Sequence, residues 1–271
     1  MSRHPRPFLK WAGNKHRLLD RILPRLPAGD RLIEPFAGAA AVTLAADYPA
    51  YRLVDSNPDL IGLFRAVRDE GEPFLERARA LFADGNRAET YYARRTAFNA
   101  ETDPVERAAL FLYLNRHGYN GLCRYNRSGG FNVPFGRHAR PYFPEAELTA
   151  FARRARECPV ELAVGDFEAE LDAARRGDVV YCDPPYAPLS ATADFTAYAP
   201  GAFADDAQAR LAAAARRAAG RGVPVVISNH DTPVVREHYH GADLDSFPVA
   251  RTISRQGSNR RPVDEVLALF A

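Results

Sequence analysis

No hydrophobic run in this chain approaches the roughly 20 residues that a membrane-spanning helix needs. Segment 1–15 also lacks the apolar core of a secretion signal, so we expect a soluble cytoplasmic protein. Cysteine is scarce as well. Cys123, Cys158 and Cys182 are odd in number and far apart, which fits neither a disulfide framework nor a zinc ligand set. We therefore predict three reduced cysteines and no metal site.

Lysine is almost absent, and acidic residues are missing from two long windows. Of the 36 basic residues, only Lys10 and Lys15 are lysines. No Asp or Glu occurs in windows 107–144 and 246–263, and both windows contain several arginines. Because surfaces normally mix both signs of charge, the net charge of +2 hides two basic faces that suit a polyanion. For any single arginine, an ordinary solvated surface position is an equally good interpretation.

Strand-like and helix-like segments alternate along the chain. Residues 73–114 show helical spacing throughout, whereas residues 115–144 are rich in Asn, Gly, Arg and aromatic residues and predict loops. Short apolar runs typical of strands occur at 31–36, 51–55, 161–167, 178–182, 223–229 and twice near the C-terminus. This alternation predicts an α/β fold with a parallel, doubly wound, Rossmann-like sheet and an inserted, mostly helical region.

The stretch YCDPPY (181–186) ends a buried strand with two prolines instead of a flexible turn residue. Proline fixes its own φ and restricts the residue before it, so this turn is a rigid rim. The Asp183 carboxylate and the Pro184 carbonyl can accept the two hydrogens of an exocyclic amine, and Tyr186 can stack on the ring that carries it. The nitrogen lone pair then faces an electrophile, which predicts methyl transfer to an amino nitrogen of a base.

Two further features lie at the carboxyl edge of the predicted sheet, where such folds bind ligands. EPFAGAA (34–40) places small residues between a strand and a helix, so that a ligand can approach the backbone. Asp55 ends the next strand, where a carboxylate can accept hydrogen bonds from ribose hydroxyls. Together they predict S-adenosylmethionine as the methyl donor. Each has an ordinary alternative: alanine-rich helices also begin this way, and Asp55 can cap a helix.

Several motifs together resemble the bacterial Dam-type DNA adenine methyltransferases. They are FLKWAGNK, EPFAGAAAV, LVDSNPDLI, FLYLNRHGYNGLCRYN, FNVPFG and VVYCDPPYAPLSAT, and ISNHD and VDEVLAL are similar as well. The resemblance implies methylation of adenine N6 in double-stranded DNA, within GATC, after the base is extruded from the duplex. It assigns the reacting base to Asp183, Pro184, Pro185 and Tyr186.

The resemblance also implies a cofactor site. It places Trp11, Gly13 and Lys15 at the methionine and adenosine end, Asp55 at the ribose, and Asp166 with Phe167 at the cofactor adenine. The full predicted set is Trp11, Ala12, Gly13, Lys15, Glu34, Pro35, Phe36, Gly38, Asp55, Asp166, Phe167 and Asp183. Two residues depart from the family pattern, because Asn14 and Ala40 stand where glycine is usual. Each adds a side chain beside the cofactor, which narrows the pocket or strains a positive-φ turn.

For DNA, the resemblance divides the chain into a catalytic domain (1–56 and 145–271) and an inserted target-recognition domain (57–144). Tyr119 and Asn120 would fill the gap that the extruded base leaves. Leu122, Arg124 and Pro134 would read base edges, and Lys10 would approach the groove from the other side. The phosphate contacts would be Arg116, Arg127, Arg137 and Arg140.

Two alternatives are left open by the residues themselves. Asp-Pro-Pro-Tyr alone does not separate adenine in DNA from RNA or from the amine of cytosine. A non-catalytic DNA-binding protein on the same scaffold is the other alternative. The intact Asp183, Tyr186, Asp55 and Lys15 argue against it.

Overall fold

The computed structural model describes residues 4–186, 205–249 and 263–271. Within these ranges seven strands form one sheet in the order β3-β2-β1-β4-β5-β7-β6. The strands are β1 Arg31–Glu34, β2 Ala50–Asp55, β3 Val160–Val164, β4 Asp178–Cys182, β5 Val225–His230, β6 Asp243–Val249 and β7 Val263–Phe270.

The sheet is parallel except for β7, which runs antiparallel to both β5 and β6. This confirms the predicted doubly wound α/β fold, with one correction: the last strand is reversed. An antiparallel neighbour needs no crossover helix, so the chain can place β7 directly between β5 and β6. The strand order reverses between the neighbours β1 and β4, and in such sheets the carboxyl ends at this switch point form the ligand crevice.

The helices divide more finely than the sequence indicated. The helical stretch predicted over 73–114 is divided among three helices. The third begins after Asp103, whose side chain accepts hydrogen bonds from the Val105 and Glu106 amides, and Pro104 occupies its first turn. The described α-helices are α1 Leu19–Ile22, α2 Ala41–Ala45, α3 Pro58–Glu70, α4 Glu72–Ala83, α5 Ala88–Ala100, α6 Pro104–His117, α7 Glu145–Glu157, α8 Phe167–Ala173, α9 Asp205–Ala219 and α10 Pro233–His238.

Alternate residues of β4 point into two hydrophobic cores, one on each face of the sheet. Tyr181 belongs to the core that includes Phe64 of α3 and Phe111 of α6. Val180 belongs to the core that includes Leu211 of α9. Burial on both faces explains why this strand reads as an unbroken apolar run.

Helix α3 joins the sheet to the helices that follow it. Arg65 and Arg68 donate hydrogen bonds to carbonyl oxygens of β3, each at 2.9 Å. On its other side, Asp59 forms an ion pair with Arg107 of α6 at 2.6 Å. Helix α3 therefore contacts both the sheet and the inserted helices, and the predicted domain boundary after residue 56 stays a proposal.

Residues 118–137 form a hairpin-like loop after α6. Two isolated antiparallel bridges, Gly118 with Phe135 and Tyr125 with Phe131, bring its two arms together. We call this segment the hairpin loop. It lies within the first acid-free window, whereas residues 250–262 of the second window lie outside the described part of the chain.

None of the helices in the described ranges is long and apolar enough to cross a bilayer. In the same ranges, no three His, Cys, Asp or Glu side chains are arranged to hold a metal ion. Cys123, Cys158 and Cys182 are free thiols, and Cys182 is buried in β4.

Candidate active site and DNA-facing loop

The rigid turn 183–186 directly follows β4, at the switch point of the sheet. The Asp183 Oδ1 atom lies 2.6 Å from Lys15 Nζ and accepts a hydrogen bond from Ser228 Oγ at 3.0 Å. Within the described residues no donor contacts Oδ2. Burial raises the pKa of Asp183, and the Lys15 ammonium and Ser228 oppose that rise. One carboxylate oxygen is therefore held by the protein, and the other is left as an acceptor.

Lys15 contacts the turn itself, although its sequence neighbours belong to the predicted cofactor segment. Its side chain is 7% exposed, and its ammonium donates a hydrogen bond to the Gly13 carbonyl at 2.7 Å. The same ammonium lies 4.5 Å from the centre of the Tyr186 ring. A buried ammonium is tolerated when it is paired and hydrogen-bonded, and the Asp183 carboxylate supplies the opposite charge. Lys15 therefore ties the N-terminal segment to the turn.

Tyr186 is held at its hydroxyl and through the backbone before it. The hydroxyl donates a hydrogen bond to Glu265 Oε2 at 2.8 Å. The ring meets the His230 ring edge-on, with 4.7 Å between centroids. The preceding Pro185 carbonyl accepts a hydrogen bond from Gln208 Nε2 at 2.9 Å. These contacts fix the plane of the Tyr186 ring, three residues after Asp183.

Three of these partners were missed by sequence reasoning. Ser228 lies in ISNHD and Glu265 in VDEVLAL, two motifs that carried the family resemblance without an assigned role. A signal was therefore present for both. Gln208 gave none beyond being a polar residue on the buried side of an alanine-rich helix.

The loop after β1 comes close to the N-terminal segment. An added Cβ at Gly38 would lie 3.1 Å from Cδ1 of Trp11, and Gly38 has a φ of +46°. Ala40 has φ 54° and ψ 36°, so the predicted strain of a positive-φ turn is confirmed at this position. Asn14 instead has φ −49°, and its side chain accepts a hydrogen bond from the His16 amide. Of the two departures from glycine, only Ala40 strains the backbone.

Glu34 supports this loop from behind. Its side chain is buried, and Oε1 accepts hydrogen bonds from the amide of Thr43 at 2.7 Å and from the Thr43 hydroxyl. Burial raises the pKa of Glu34 to about 7. The carboxyl group connects the end of β1 to α2 around the buried Pro35. This placement gives Glu34 a role in shaping the loop.

Asp55 links the same loop to the end of β2. Its Oδ2 accepts a hydrogen bond from the Gly38 amide at 3.1 Å, and its Oδ1 accepts one from the Asn57 amide at 3.0 Å. The cap of α3 is Asn57, whose side chain accepts from the Asp59 and Leu60 amides, so the alternative of Asp55 as the helix cap is wrong. Burial raises the pKa of Asp55, and these backbone donors oppose the rise.

Two aromatic rings pack together where β1 ends and α8 begins. Phe36 and Phe167 stack with 5.3 Å between centroids and 23° between planes. Asp166 caps α8 by accepting a hydrogen bond from the Glu168 amide at 3.0 Å, and its side chain is 58% exposed. Its exposed carboxylate leaves room for a further contact. Ala12 and Gly13, also predicted here, are exposed.

The hairpin loop presents its predicted contact residues to solvent. Tyr119 is 51% exposed and Leu122 is 37% exposed, which is unusual for large apolar side chains. The other predicted contacts in this loop are exposed as well: Asn120, Arg124, Arg127, Pro134 and Arg137. The sequence of the loop contains no acidic residue, so a positive and partly apolar surface faces outward.

Arg124 is oriented within the loop although it is exposed. Its Nε donates a hydrogen bond to Asn132 Oδ1 at 2.8 Å, and its guanidinium also contacts the Asn132 carbonyl at 3.3 Å. An arginine that reads a base must present a defined fork, and these bonds restrict its rotamers. Arg127 lies at the tip of the loop, in a turn closed by the Asn126 side chain.

Arg116 differs from its prediction as a phosphate contact. It is 8% exposed, and its guanidinium donates to the Tyr142 carbonyl at 3.0 Å and to the Phe8 carbonyl at 3.4 Å. Burial lowers the pKa of Arg116. In this structure its guanidinium is used to hold the segments around Phe8 and Tyr142 together, because both carbonyls need a buried donor. We therefore remove Arg116 from the proposed DNA contacts.

Lys10 lies against the start of the hairpin loop. Its backbone pairs with the Asn115 side chain in both directions, at 3.0 Å to Oδ1 and 2.7 Å from Nδ2. Its ammonium donates to the Arg116 carbonyl at 3.3 Å, and burial followed by the Arg116 charge lowers the pKa of Lys10. Asn115, which sequence reasoning also missed, thus locks the N-terminal segment to the loop.

Comparison with known proteins agrees with this geometry. The sequence profile of the D12 class N6 adenine-specific DNA methyltransferases matches residues 11–253. The chain belongs to this family. It is 52% identical over 269 residues to the DNA adenine methylase of Escherichia coli (strain K12), covering 98% of this chain and 95% of that protein. It is 51% identical over 267 residues to the DNA adenine methylase of Serratia marcescens, covering 98% of both chains.

A third relative, the DNA adenine methylase of Vibrio cholerae serotype O1, is 48% identical over 267 residues, covering 98% of this chain and 96% of that protein. As a D12 class N6 adenine-specific DNA methyltransferase, the chain acts on adenine in DNA. Membership in this class decides against RNA and against the amine of cytosine as substrates. It also identifies the chain as an enzyme, which decides against a non-catalytic DNA-binding protein.

Proposed function

We propose that this enzyme uses S-adenosylmethionine to methylate the N6 amine of an adenine extruded from duplex DNA, within the sequence GATC. The observation that carries the proposal is the Asp183 carboxylate. Lys15 and Ser228 hold its Oδ1 atom at 2.6 and 3.0 Å, while among the described residues no donor contacts Oδ2, and the Lys15 ammonium also lies 4.5 Å from the centre of the Tyr186 ring. An extruded adenine meets both needs of this site, since its ring can stack and its amine can donate.

The turn prepares the amine for transfer. The Asp183 Oδ2 atom and the Pro184 carbonyl accept the two amine hydrogens, and Tyr186 holds the ring in plane. Gripping both hydrogens directs the nitrogen lone pair away from the turn, toward the methyl donor. As the carbon–nitrogen bond forms, N6 becomes positively charged, and the adjacent carboxylate stabilises that charge. The bond between the methyl carbon and sulfur would break as this bond forms, with its electron pair left on sulfur as a neutral thioether, and the nitrogen would then release one proton to solvent to give the N6-methylated base.

The residues at the carboxyl edge fit S-adenosylmethionine, which supplies an electrophilic methyl group on a positively charged sulfur. A side chain at Gly38 would crowd Trp11, so glycine lets the loop after β1 lie close to the N-terminal segment that is proposed to bind the cofactor. The Phe36 and Phe167 rings offer an aromatic face for an adenine, and Asp55 offers acceptors for ribose hydroxyls. Asp55→Ala should weaken S-adenosylmethionine binding in calorimetry without DNA, and unchanged affinity would refute this assignment.

The inserted region 57–144 is the proposed target-recognition domain, with 1–56 and 145–271 as the catalytic domain. In the hairpin loop, the exposed Tyr119 and Asn120 would occupy the space of the extruded base. Leu122, Arg124 and Pro134 would read base edges together with Lys10, and Arg127, Arg137 and Arg140 would bind phosphates. The names of the relatives, DNA adenine methylases, support this substrate.

Transfer of tritiated methyl groups tests the proposal. Duplexes with GATC, duplexes with each single-base variant, single-stranded DNA and RNA would be compared as substrates. We expect transfer to duplex GATC and strong discrimination against the variants. Asp183→Asn, which keeps the shape of the side chain, serves as the inactive control. Equal transfer to all duplexes would overturn the GATC assignment, and transfer by Asp183→Asn within about tenfold of the wild type, roughly 1.4 kcal/mol, would overturn the role of the carboxylate.

A further inference from the structure

A chain of buried polar side chains lies behind the turn 183–186. Gln208 is 2% exposed, and Asn229 and Tyr239 are both 0% exposed. Asn229 Nδ2 donates hydrogen bonds to Gln208 Oε1 and to the Tyr239 hydroxyl, both at 3.0 Å. Gln208 Nε2 in turn donates to the Pro185 carbonyl at 2.9 Å. We call Gln208, Asn229 and Tyr239 the amide relay.

Two backbone groups fix the orientation of both amides in the relay. Asn229 Oδ1 accepts a hydrogen bond from the His230 amide at 2.9 Å, which turns Nδ2 toward Gln208. The Gln208 oxygen must face that donor, so its Nε2 faces the Pro185 carbonyl, which can only accept. Flipping either amide would bring two donors or two acceptors together. The relay is therefore satisfied in a single arrangement, and a satisfied buried network is rigid.

The position of the relay in the fold argues against a role in packing alone. Neighbouring residues on the buried side of α9 are apolar, among them Leu211 and Ala215. An apolar side chain at position 208 would fill the same core without the cost of burying an amide. The amide of Gln208 instead donates a hydrogen bond to one atom of the turn, the Pro185 carbonyl oxygen immediately before Tyr186.

We propose that Gln208 and Asn229 are positioning residues for methyl transfer, acting through Pro185 on the ring of Tyr186. The proline ring fixes φ of Pro185, so ψ is the torsion left to direct the next residue. A hydrogen bond on the Pro185 carbonyl fixes that ψ. At the far end, the Tyr186 hydroxyl is held by Glu265 at 2.8 Å. The stacking face is thus set from both ends. This inference rests on the proposed stacking of the target adenine on Tyr186.

Gln208→Met tests the proposal, because it removes the donor with little change in volume. We expect kcat to fall about tenfold or more at saturating DNA and cofactor, while the KM for DNA and the affinity for cofactor change less than about twofold. A second measurement uses a duplex with 2-aminopurine in place of the target adenine. Its fluorescence rises when the base leaves the duplex and is quenched when it stacks on an aromatic ring, so the complex with the variant should be brighter than the wild-type complex.

Tyr48→Phe is the matched control. It removes a buried hydrogen bond to the Pro27 carbonyl near the amino ends of the strands, and it should lower stability without lowering kcat. Tyr239→Phe removes one acceptor at the far end of the relay and should give a smaller loss of kcat than Gln208→Met. It also keeps the test valid if Gln208→Met does not fold.

Two results would overturn the inference. One is a kcat for Gln208→Met, or for Tyr239→Phe if the first variant does not fold, that equals the wild-type value. The other is a loss that Tyr48→Phe reproduces at the same loss of stability. A wild-type enzyme that methylates no adenine in duplex DNA would instead overturn the proposed function, so the two failures are distinguishable.

Discussion

The ion pair between Lys15 and Asp183 should be coupled energetically and should set the pH range of the reaction. The two charges lie 2.6 Å apart, with side-chain exposures of 7% and 21%. Removing one partner of a fully buried pair destabilises a protein by about 3–5 kcal/mol, because the other charge stays buried and uncompensated. Water reaches Asp183 in part, so for Lys15→Met we expect a smaller loss of about 2 kcal/mol.

A double-mutant cycle measures this coupling. Asp183→Asn leaves the Lys15 ammonium facing a neutral amide, and Lys15→Met leaves the carboxylate without its cation. When both are replaced, neither charge remains, so the double variant should lose less stability than the sum of the two single variants. We expect a coupling free energy of about 1–2 kcal/mol from urea unfolding. If the two single losses add within about 0.5 kcal/mol, the pair is not coupled and the reasoning fails.

The pH dependence of kcat gives an independent check. Burial already raises the pKa of Asp183, and the Lys15 ammonium opposes that rise. In Lys15→Met the opposing charge is gone, so the pKa rises further and the carboxylate is lost at a higher pH. The acid limb of the kcat profile should therefore move to higher pH. Lys10→Met, the only other lysine replacement in this chain, should leave that limb in place. An unmoved limb in Lys15→Met would contradict the assignment.

Four further predictions concern Glu34 and Ala40 around the loop after β1, and Arg124 and Arg127 in the hairpin loop. Burial raises the pKa of Glu34 from an ordinary value of 4.5 to about 7, so the free energy of unfolding should fall by roughly 3 kcal/mol as pH rises between these two values. Glu34→Gln should abolish this loss in urea titrations, and an unchanged pH dependence would refute it. Ala40→Gly relieves a φ of 54° but also removes a fully buried methyl group worth about 1 kcal/mol, so the two effects should nearly cancel, and a loss above about 2 kcal/mol in thermal unfolding would contradict the strain. Arg124→Ala should lose about 1–3 kcal/mol of discrimination at one base pair of GATC in competition assays. Arg127→Ala should weaken binding to all DNA sequences alike, and it should reduce the slope of log affinity against log salt concentration by about one. If both variants lose affinity uniformly across sequences, Arg124 is a phosphate contact.

The sequence predicted those parts of the fold that depend on local patterns. Buried strands such as β4 and β5 are continuous apolar runs, and a capping residue followed by proline marks the start of α3 at Asn57. The predicted direction of β7 was wrong, because the apolar pattern of a strand does not show whether it runs parallel or antiparallel to its neighbours. The three helices within 73–114 were merged because their apolar spacing continues across the breaks, although Asp103 and Pro104 carry the signal of a new start.

The site was predictable where one motif supplies both its shape and its chemistry. The turn 183–186 is such a motif, since proline fixes its backbone wherever it occurs. Its supports come from strands and helices far along the chain, including Ser228, Gln208 and Glu265. No spacing in the sequence encodes such contacts, because they form only when the sheet brings β5, β7 and α9 to the same edge. Arg116 shows the reverse case: a basic window predicts charge at a surface, but packing decides which arginine is buried.

Lys10 and Lys15, the two lysines of the chain, anchor the same N-terminal segment at two different places. Lys15 reaches the turn 183–186. Lys10, five positions earlier, is paired through its backbone with Asn115 near the end of α6, and Asn115 Nδ2 also donates to the Gly121 carbonyl of the hairpin loop at 3.4 Å. An arginine at position 15 would need room for a planar fork in a space now filled by a compact ammonium with three partners, the Asp183 carboxylate, the Gly13 carbonyl and the Tyr186 ring. Segment 10–15 therefore connects the surface proposed to read DNA with the carboxylate proposed to hold the extruded base.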